Sequence, residues 1–93
     1  MDKKLDNRRA LMKSSDMQAG LQKIVVDTCA VATEQYDEER DIAAYVKKHM
    51  DKYDGGVWHC VLGKNFGCYV CHMDGYFSYF EFQGKSVIIF RTQ

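Results

Sequence analysis

The stretch DIAAYVKKHMDKYDGGVWHCVLGKNFGCYVCHMDGYFSYFEF, residues 41–82, decides the fold because its apolar spacing changes at Gly55-Gly56. Before the glycines, apolar side chains recur every three or four residues, which is the spacing of a helix face. After them, valine, phenylalanine and tyrosine fill short segments separated by glycine, which is typical of β-strands. A helix followed by strands predicts an α+β domain.

Two N-terminal helices are predicted upstream of the strands. Asp16 is the predicted N-cap of the first, which runs from about Met17 to Gln35. Asp37 is the predicted cap of the second, and Gly55 stops it. The spacing places six side chains on the buried face of this second helix: Ile42, Tyr45, Val46, His49, Met50 and Tyr53.

The strands are predicted to form an antiparallel β meander after the two helices. Val, Phe and Tyr content and the glycine punctuation place them at about 57–62, 66–72, 76–82 and 86–91. A weaker alternation at 10–15 predicts an additional edge strand.

Length and charge restrict the class of protein. A chain of 93 residues has room for one domain. The mostly charged residues 1–9 are expected to be a flexible arm, which leaves 10–93 as the single domain. Thirteen cationic side chains balance thirteen anionic ones, so no broad basic field favours nucleic acid or an anionic membrane.

The location of the protein is predicted from two further features. No stretch approaches the roughly 20 apolar residues that span a bilayer. The N-terminal run MDKKLDNRR has no apolar core, so it does not resemble a secretory signal. A cytoplasmic protein is expected, in which the four cysteines are reduced.

The central stretch resembles the dynein light chain family, the eight-kilodalton class. The most specific matches are Trp58-His59-Cys60, the run Gly63-Lys64-Asn65-Phe66-Gly67, Tyr69-Val70 and His72. DIAAYVKK at 41–48 and the run KSSDM at 13–17 extend the similarity, which covers about 10–91 without a gap.

The resemblance implies a dimeric β-sandwich in which each sheet receives one exchanged crossing strand, here about 66–71, from the partner. It implies a non-enzymatic homodimeric adaptor that binds short linear motifs by β-strand addition in two symmetric grooves. The expected partners are the dynein intermediate chain and other proteins with a Gln-Thr core. The expected location is the cytoplasm, on a microtubule motor complex, and no cofactor is implied.

The resemblance also implies a set of groove residues. Glu39 and Arg40 would lie at the start of the second helix, where free N–H groups can bind a glutamine side chain. The predicted groove comprises Lys13, Glu39, Arg40, Lys64, Asn65, Phe66, Gly67, Cys68, Tyr69, Val70, Cys71, His72, Phe77 and Tyr79. The predicted dimer interface comprises His59, Phe66, Cys68, Tyr69 and Cys71.

Each of these residues also has an ordinary structural interpretation. Aromatic side chains on strands such as Phe77 and Tyr79 are usually core residues. Lys64 and Asn65 after a glycine would ordinarily form a hairpin turn. The family match in register is what favours the functional interpretation.

His59 carries a separate hypothesis. A histidine in a strand is more often structural than catalytic, but the family places it at the dimer interface. Because a charged imidazole is costly to bury, we expect acidification below about pH 6 to split the dimer.

The run Cys68-Tyr69-Val70-Cys71-His72 spells the CxxCH pattern of c-type haem attachment. Haem attachment needs an export pathway, and no export signal is predicted. Two cysteines three residues apart in a strand also point to opposite faces, with Cα atoms about 10 Å apart. No metal is therefore predicted. The alternative is a divergent protein of this fold without standard client binding, with thiol chemistry or a zinc site built from Cys60, Cys68, Cys71, His59 and His72.

Several residues depart from the family pattern. Cys68 and Cys71 stand where serine and threonine are usual, and Glu81 replaces a usual tyrosine. The glycine of the turn Gln83-Gly84-Lys85 comes one place late, and the N-terminal arm is about four residues longer than usual. These departures predict a divergent paralogue.

Overall fold

Two helices and a four-stranded antiparallel sheet form the domain, which confirms the α+β prediction. The computed structural model describes residues 10–63 and 75–92. Neither helix in these ranges is long and apolar enough to cross a membrane. The elements in chain order are β1 (Leu11–Ser15), α1 (Ala19–Gln35), α2 (Glu39–Asp54), β2 (Trp58–Gly63), β3 (Phe77–Phe82) and β4 (Lys85–Arg91).

The strands lie in the order β1-β3-β4-β2, so β1 and β2 form the two edges of the described sheet. The prediction of an edge strand at 10–15 is thereby confirmed. β3 and β4 form a hairpin in which Gln83 and Gly84 have positive φ values of 53° and 79°, as primed hairpin turns require. The predicted strand at 66–72 and its exchange with a partner lie outside the described residues.

Asp16 does not cap α1, so that prediction is wrong. The helix begins at Ala19 after the N-cap Gln18. The Asp16 carboxylate instead accepts hydrogen bonds from the backbone N–H of Gly75 at 3.0 Å and of Phe77 at 2.9 Å. Because these amides start β3, Asp16 ties the chain before α1 to the sheet.

The boundaries of α2 agree with the sequence pattern to within one residue. Glu38, not the predicted Asp37, is the N-cap. The helix ends at Gly55, whose φ of 74° is left-handed, as the glycine predicted.

The core lies between the helices and one face of the sheet. Val25, Cys29 and Ala32 of α1 are fully buried there. α2 contributes Ile42, Val46 and Met50, which follow one another at intervals of four residues. The sheet contributes Trp58, Phe80, Phe82, Val87 and Ile89.

Two of the six side chains predicted for the buried face of α2 lie outside the core. His49 is exposed, and Tyr53 is 54% exposed. Tyr45 is half-buried at the margin. The apolar stripe of α2 is narrower than the sequence predicted, and tyrosine and histidine continue it onto the surface.

Asp51 joins the end of α2 to the start of β2. Its carboxylate accepts hydrogen bonds from Lys47 Nζ and, at 2.8 Å, from the backbone N–H of Trp58. The Lys47 hydrogen bond is the main cause that holds the pKa of Asp51 below its ordinary value of 3.8.

We expect Asp51→Asn to lower the free energy of unfolding by about 1 kcal/mol at pH 7. A lowered folded-state pKa stabilises the protein above pH 3.8 and stops doing so as pH falls through the folded value. The difference between wild type and variant should therefore shrink below about pH 4 in urea titrations. Asp27→Asn, which breaks only the exposed pair with Lys23, should change stability by under about 0.5 kcal/mol.

Candidate dimer and peptide-binding surfaces

The sheet has a second apolar face, opposite the helices. Because side chains alternate along a strand, the residues between the core positions of β2, β3 and β4 point to this side. We call it the outer face. A polar row of Glu81, Ser86 and Gly63 lies at its β3–β4 hairpin end. Two further rows are aligned by the backbone register: Phe77, Phe90 and His59 in one, and Tyr79, Ile88 and Val61 in the other.

These two further rows are apolar although neither helix packs on them. Val61 is 44% exposed, and the side chains of Phe77, Tyr79 and Phe90 are half-buried. Ile88, at the centre, is 1% exposed. A sheet that is apolar on both faces is typical of strands buried on both sides.

His59 is fixed within the outer face. Its ring stacks on Phe90 with a centroid separation of 4.9 Å and an interplanar angle of 17°. Its Nε2 atom lies 3.2 Å from the hydroxyl oxygen of Thr92. The prediction that His59 faces a partner remains a prediction, but its strand places it on the side of the sheet opposite the two helices.

β2 presents an edge of backbone groups on the side away from β4. The Thr92 N–H donates to the Val57 carbonyl at 3.0 Å, so Val57 and Thr92 form a hydrogen-bonded pair. Along an antiparallel ladder, hydrogen-bonded residue pairs alternate with pairs that exchange no hydrogen bonds. By this alternation the N–H groups of Trp58, Cys60 and Leu62 point away from β4. The Trp58 N–H donates to Asp51, and no strand within 10–63 or 75–92 pairs with the other two.

The predicted groove residues that the structure describes lie in three elements. Phe77 and Tyr79 are on the outer face of β3. Lys13 lies in a bulge of β1. Glu39 and Arg40 are the first two residues of α2. The remaining members, 64–72, lie outside the described residues.

Two ion pairs gather the charged groove residues at the β3–β4 hairpin end of the sheet. The Lys13 ammonium lies 3.8 Å from the Glu81 carboxylate. The Lys85 ammonium lies 3.0 Å from the Glu39 carboxylate. Glu81 and Lys85 flank the hairpin turn, so residues distant in sequence meet at this end of the sheet.

The sequence prediction did not include Lys85, Ile88 or Phe90 in either surface. A usable signal existed for two of them. The run SVIIF at 86–90 is continuously apolar after its serine, and such a run indicates a strand buried on both faces. The pairing of Lys85 with Glu39 had no sequence signal, because it joins a hairpin to a helix start.

The described cysteines are poorly suited to thiol chemistry. Burial raises the pKa of the Cys29 thiol to about 12. It also raises the pKa of the Cys60 thiol above its ordinary value. A neutral thiol is a weak nucleophile and metal ligand. No group of three or more His, Cys, Asp or Glu residues is arranged for a metal within 10–63 and 75–92.

Comparisons with known proteins agree with this architecture. The family model described as dynein light chain type 1 matches residues 9–92. The dynein light chain-like domain of the Fasciola hepatica calcium binding protein FhCaBP2 aligns with a TM-score of 0.76 and 24% identity, covering 90% of this chain and 91% of that one. The DLC like domain of CsTAL3 aligns with a TM-score of 0.73 and 15% identity, covering 89% and 92%. These structural likenesses concern the fold.

Proposed function

Because this chain belongs to the dynein light chain family, we propose that it is a homodimeric adaptor that binds short linear segments of partner proteins. Members of this family typically dimerise and bind partner peptides, and the family is generally non-enzymatic. The particular dimer and grooves described below are the proposal for this chain.

The observation that carries the proposal is the apolar outer face. Its two rows across β3, β4 and β2 have no helix over them. A second copy placed by a two-fold axis would bring the same rows face to face, since a two-fold interface uses one self-complementary patch. The half-buried rings of Phe77, Tyr79 and Phe90 would then lose more of their exposed surface.

The edge of β2 supports the second part of the proposal. Its outward N–H groups at Cys60 and Leu62 offer a partner strand one row of hydrogen bonds. We propose that the strand paired with this edge of β2 is the segment Asn65–His72 of the second copy, as the family resemblance implies. The far edge of the exchanged strand would form the floor of a groove in which a client peptide adds one more strand.

The charged residues at the hairpin end would set client preference. Lys13 and Glu81 are each nearly half exposed, so a client can replace their contact. The backbone N–H groups of Glu39 and Arg40, at the start of α2, would donate hydrogen bonds to a client glutamine Oε1. We therefore propose clients with a Gln-Thr core, among them the dynein intermediate chain, and a cytoplasmic location on a microtubule motor.

A fluorescence anisotropy titration tests client binding. A labelled peptide with a Gln-Thr core should bind saturably with a Kd of about micromolar strength. Lys13→Glu and Phe66→Ala should each weaken binding about tenfold or more, because truncating an anchor residue costs about 1–3 kcal/mol. Lys23→Glu has the same charge change as Lys13→Glu but lies on α1, and it should leave the Kd within about twofold.

The same titration can reject the proposal. No saturable binding by a protein that sediments as a dimer would exclude client recognition of this type. If one zinc ion per chain were then found in tag-free protein, the divergent thiol or zinc protein would be favoured instead.

A further inference from the structure

A concave surface of about 560 Å³ lies on the helix layer, away from the sheet. It follows the side of α2 that turns away from Ile42, Val46 and Met50. We call it the α2 groove. Its lining includes Tyr36, Ala44, Tyr45, Lys48, Lys52 and Tyr53.

An aromatic row forms one wall of the α2 groove. The ring of Tyr45 lies 6.0 Å from that of Tyr36 and 6.1 Å from that of His49. Tyr53 continues the row one helical turn later and is 54% exposed. Ala44 is the small residue of the lining. The wall therefore offers exposed aromatic surface beside a position with room for another side chain.

Two exposed lysines also line the α2 groove. Lys48 and Lys52 are exposed and have no ion pair within the part of the chain that the structure describes. Their neighbour Lys47 is paired with Asp51. The remaining ion-paired cations of the described ranges are Lys13, Lys23, Lys85 and Arg91.

The balance of charge in the α2 groove is positive. Asp41 is the acidic member of its lining, and it lies two helical turns before Lys48. The end between Lys48 and Lys52 thus has two cations and no acidic side chain in the lining. Complementary potentials speed encounter and select partners of opposite charge.

We propose that the α2 groove binds an acidic segment of a partner protein, with an apolar side chain against the tyrosines and carboxylates on Lys48 and Lys52. An aromatic or aliphatic anchor would lie over Ala44 between Tyr45 and Tyr53. The surface is on the opposite side of the domain from the outer face, so the proposed dimer leaves it open. Its lining shares no residue with the proposed peptide groove, and binding there needs no Gln-Thr core.

A fluorescein-labelled polyglutamate peptide with one central phenylalanine is the probe, titrated against the full chain in low salt. Saturable binding is expected, and Lys48→Glu with Lys52→Glu should weaken it about tenfold or more. Lys52→Glu and Lys23→Glu have the same charge change, but only Lys52→Glu should weaken binding. Tyr53→Ala should weaken it and abolish the preference over a peptide in which serine replaces phenylalanine.

Three results would overturn the assignment. The first is the absence of saturable binding in low salt. The second is an equal effect of Lys52→Glu and Lys23→Glu, which would mean that only net charge matters. The third is displacement of the probe by an unlabelled Gln-Thr peptide, which would place the acidic peptide in the other groove.

Discussion

Replacing His59 with lysine is expected to turn the proposed dimer into a monomer at pH 7. His59 is on the outer face, stacked on Phe90 and beside Thr92. An ammonium buried there against a second copy would have no carboxylate in its own row or in the adjacent row of its subunit, since Glu81 lies two rows away at the hairpin end. An unpaired buried charge costs about 3 kcal/mol or more, so the dimer Kd should rise at least about 100-fold. Sedimentation equilibrium at fixed concentration measures it.

Val31→Lys is the matched control for this variant. Val31 is an exposed apolar residue of α1, so its replacement adds the same charge on the helix side. It should leave the dimer intact. A His59→Lys protein that still sediments as a dimer at pH 7 would contradict the outer-face interface.

Trp58→Ala is expected to lower the free energy of unfolding by about 3–5 kcal/mol. The Trp58 side chain is fully buried and meets the ring of Tyr76 edge-on at 6.0 Å. Removing it leaves a large cavity in the core to which Met50 and Val46 also belong. Small domains have only about 5–15 kcal/mol to lose, so the variant should be largely unfolded at modest urea concentrations. Circular dichroism is the appropriate probe, because the variant has no tryptophan.

Trp58→Phe separates lost packing from a lost hydrogen bond. The Trp58 Nε1 atom is buried without a hydrogen-bond partner among the described residues. Phenylalanine removes that unpaired donor and keeps part of the ring. The free energy of unfolding should therefore fall by less than in Trp58→Ala, by about 1–2 kcal/mol. Both variants are compared at one protein concentration, because dimerisation also adds stability. Equal losses would show that the indole nitrogen has a stabilising partner.

Local features of the fold were predictable from the sequence. The glycine pair after Asp54 ends α2 because Gly55 adopts a left-handed backbone at no steric cost. The alternating FSYFEF run of β3 has buried and half-buried residues in turn, as a period of two requires. These features depend only on neighbouring residues.

Features that depend on distant residues were missed. Asp16 is a good cap by type, yet its carboxylate binds the start of β3, some 60 residues later. An N-cap side chain stabilises a helix by about 1 kcal/mol. Two hydrogen bonds from backbone amides to a charged carboxylate stabilise the fold by more than that. The pairing of β2 with β4 is equally long-range, and no local pattern specifies it.

The error on α2 had a different cause. Helical spacing identified the apolar side correctly but not its width. Tyrosine and histidine have an apolar body and a polar tip, so they continue a stripe into solvent at little cost. His49 and Tyr53 therefore fit the helical spacing of a buried face, although Met50 is the last residue of α2 in the core.

The most direct test of the dimeric account is amide hydrogen exchange across a dilution series. If a second copy pairs with the edge of β2, the amides of Cys60 and Leu62 should be protected at high concentration and lose that protection on dilution. The amides of His59 and Val61, which face β4, should stay protected throughout. Protection of Cys60 and Leu62 that is the same at every concentration would contradict the account, because the chain would then cover its own edge.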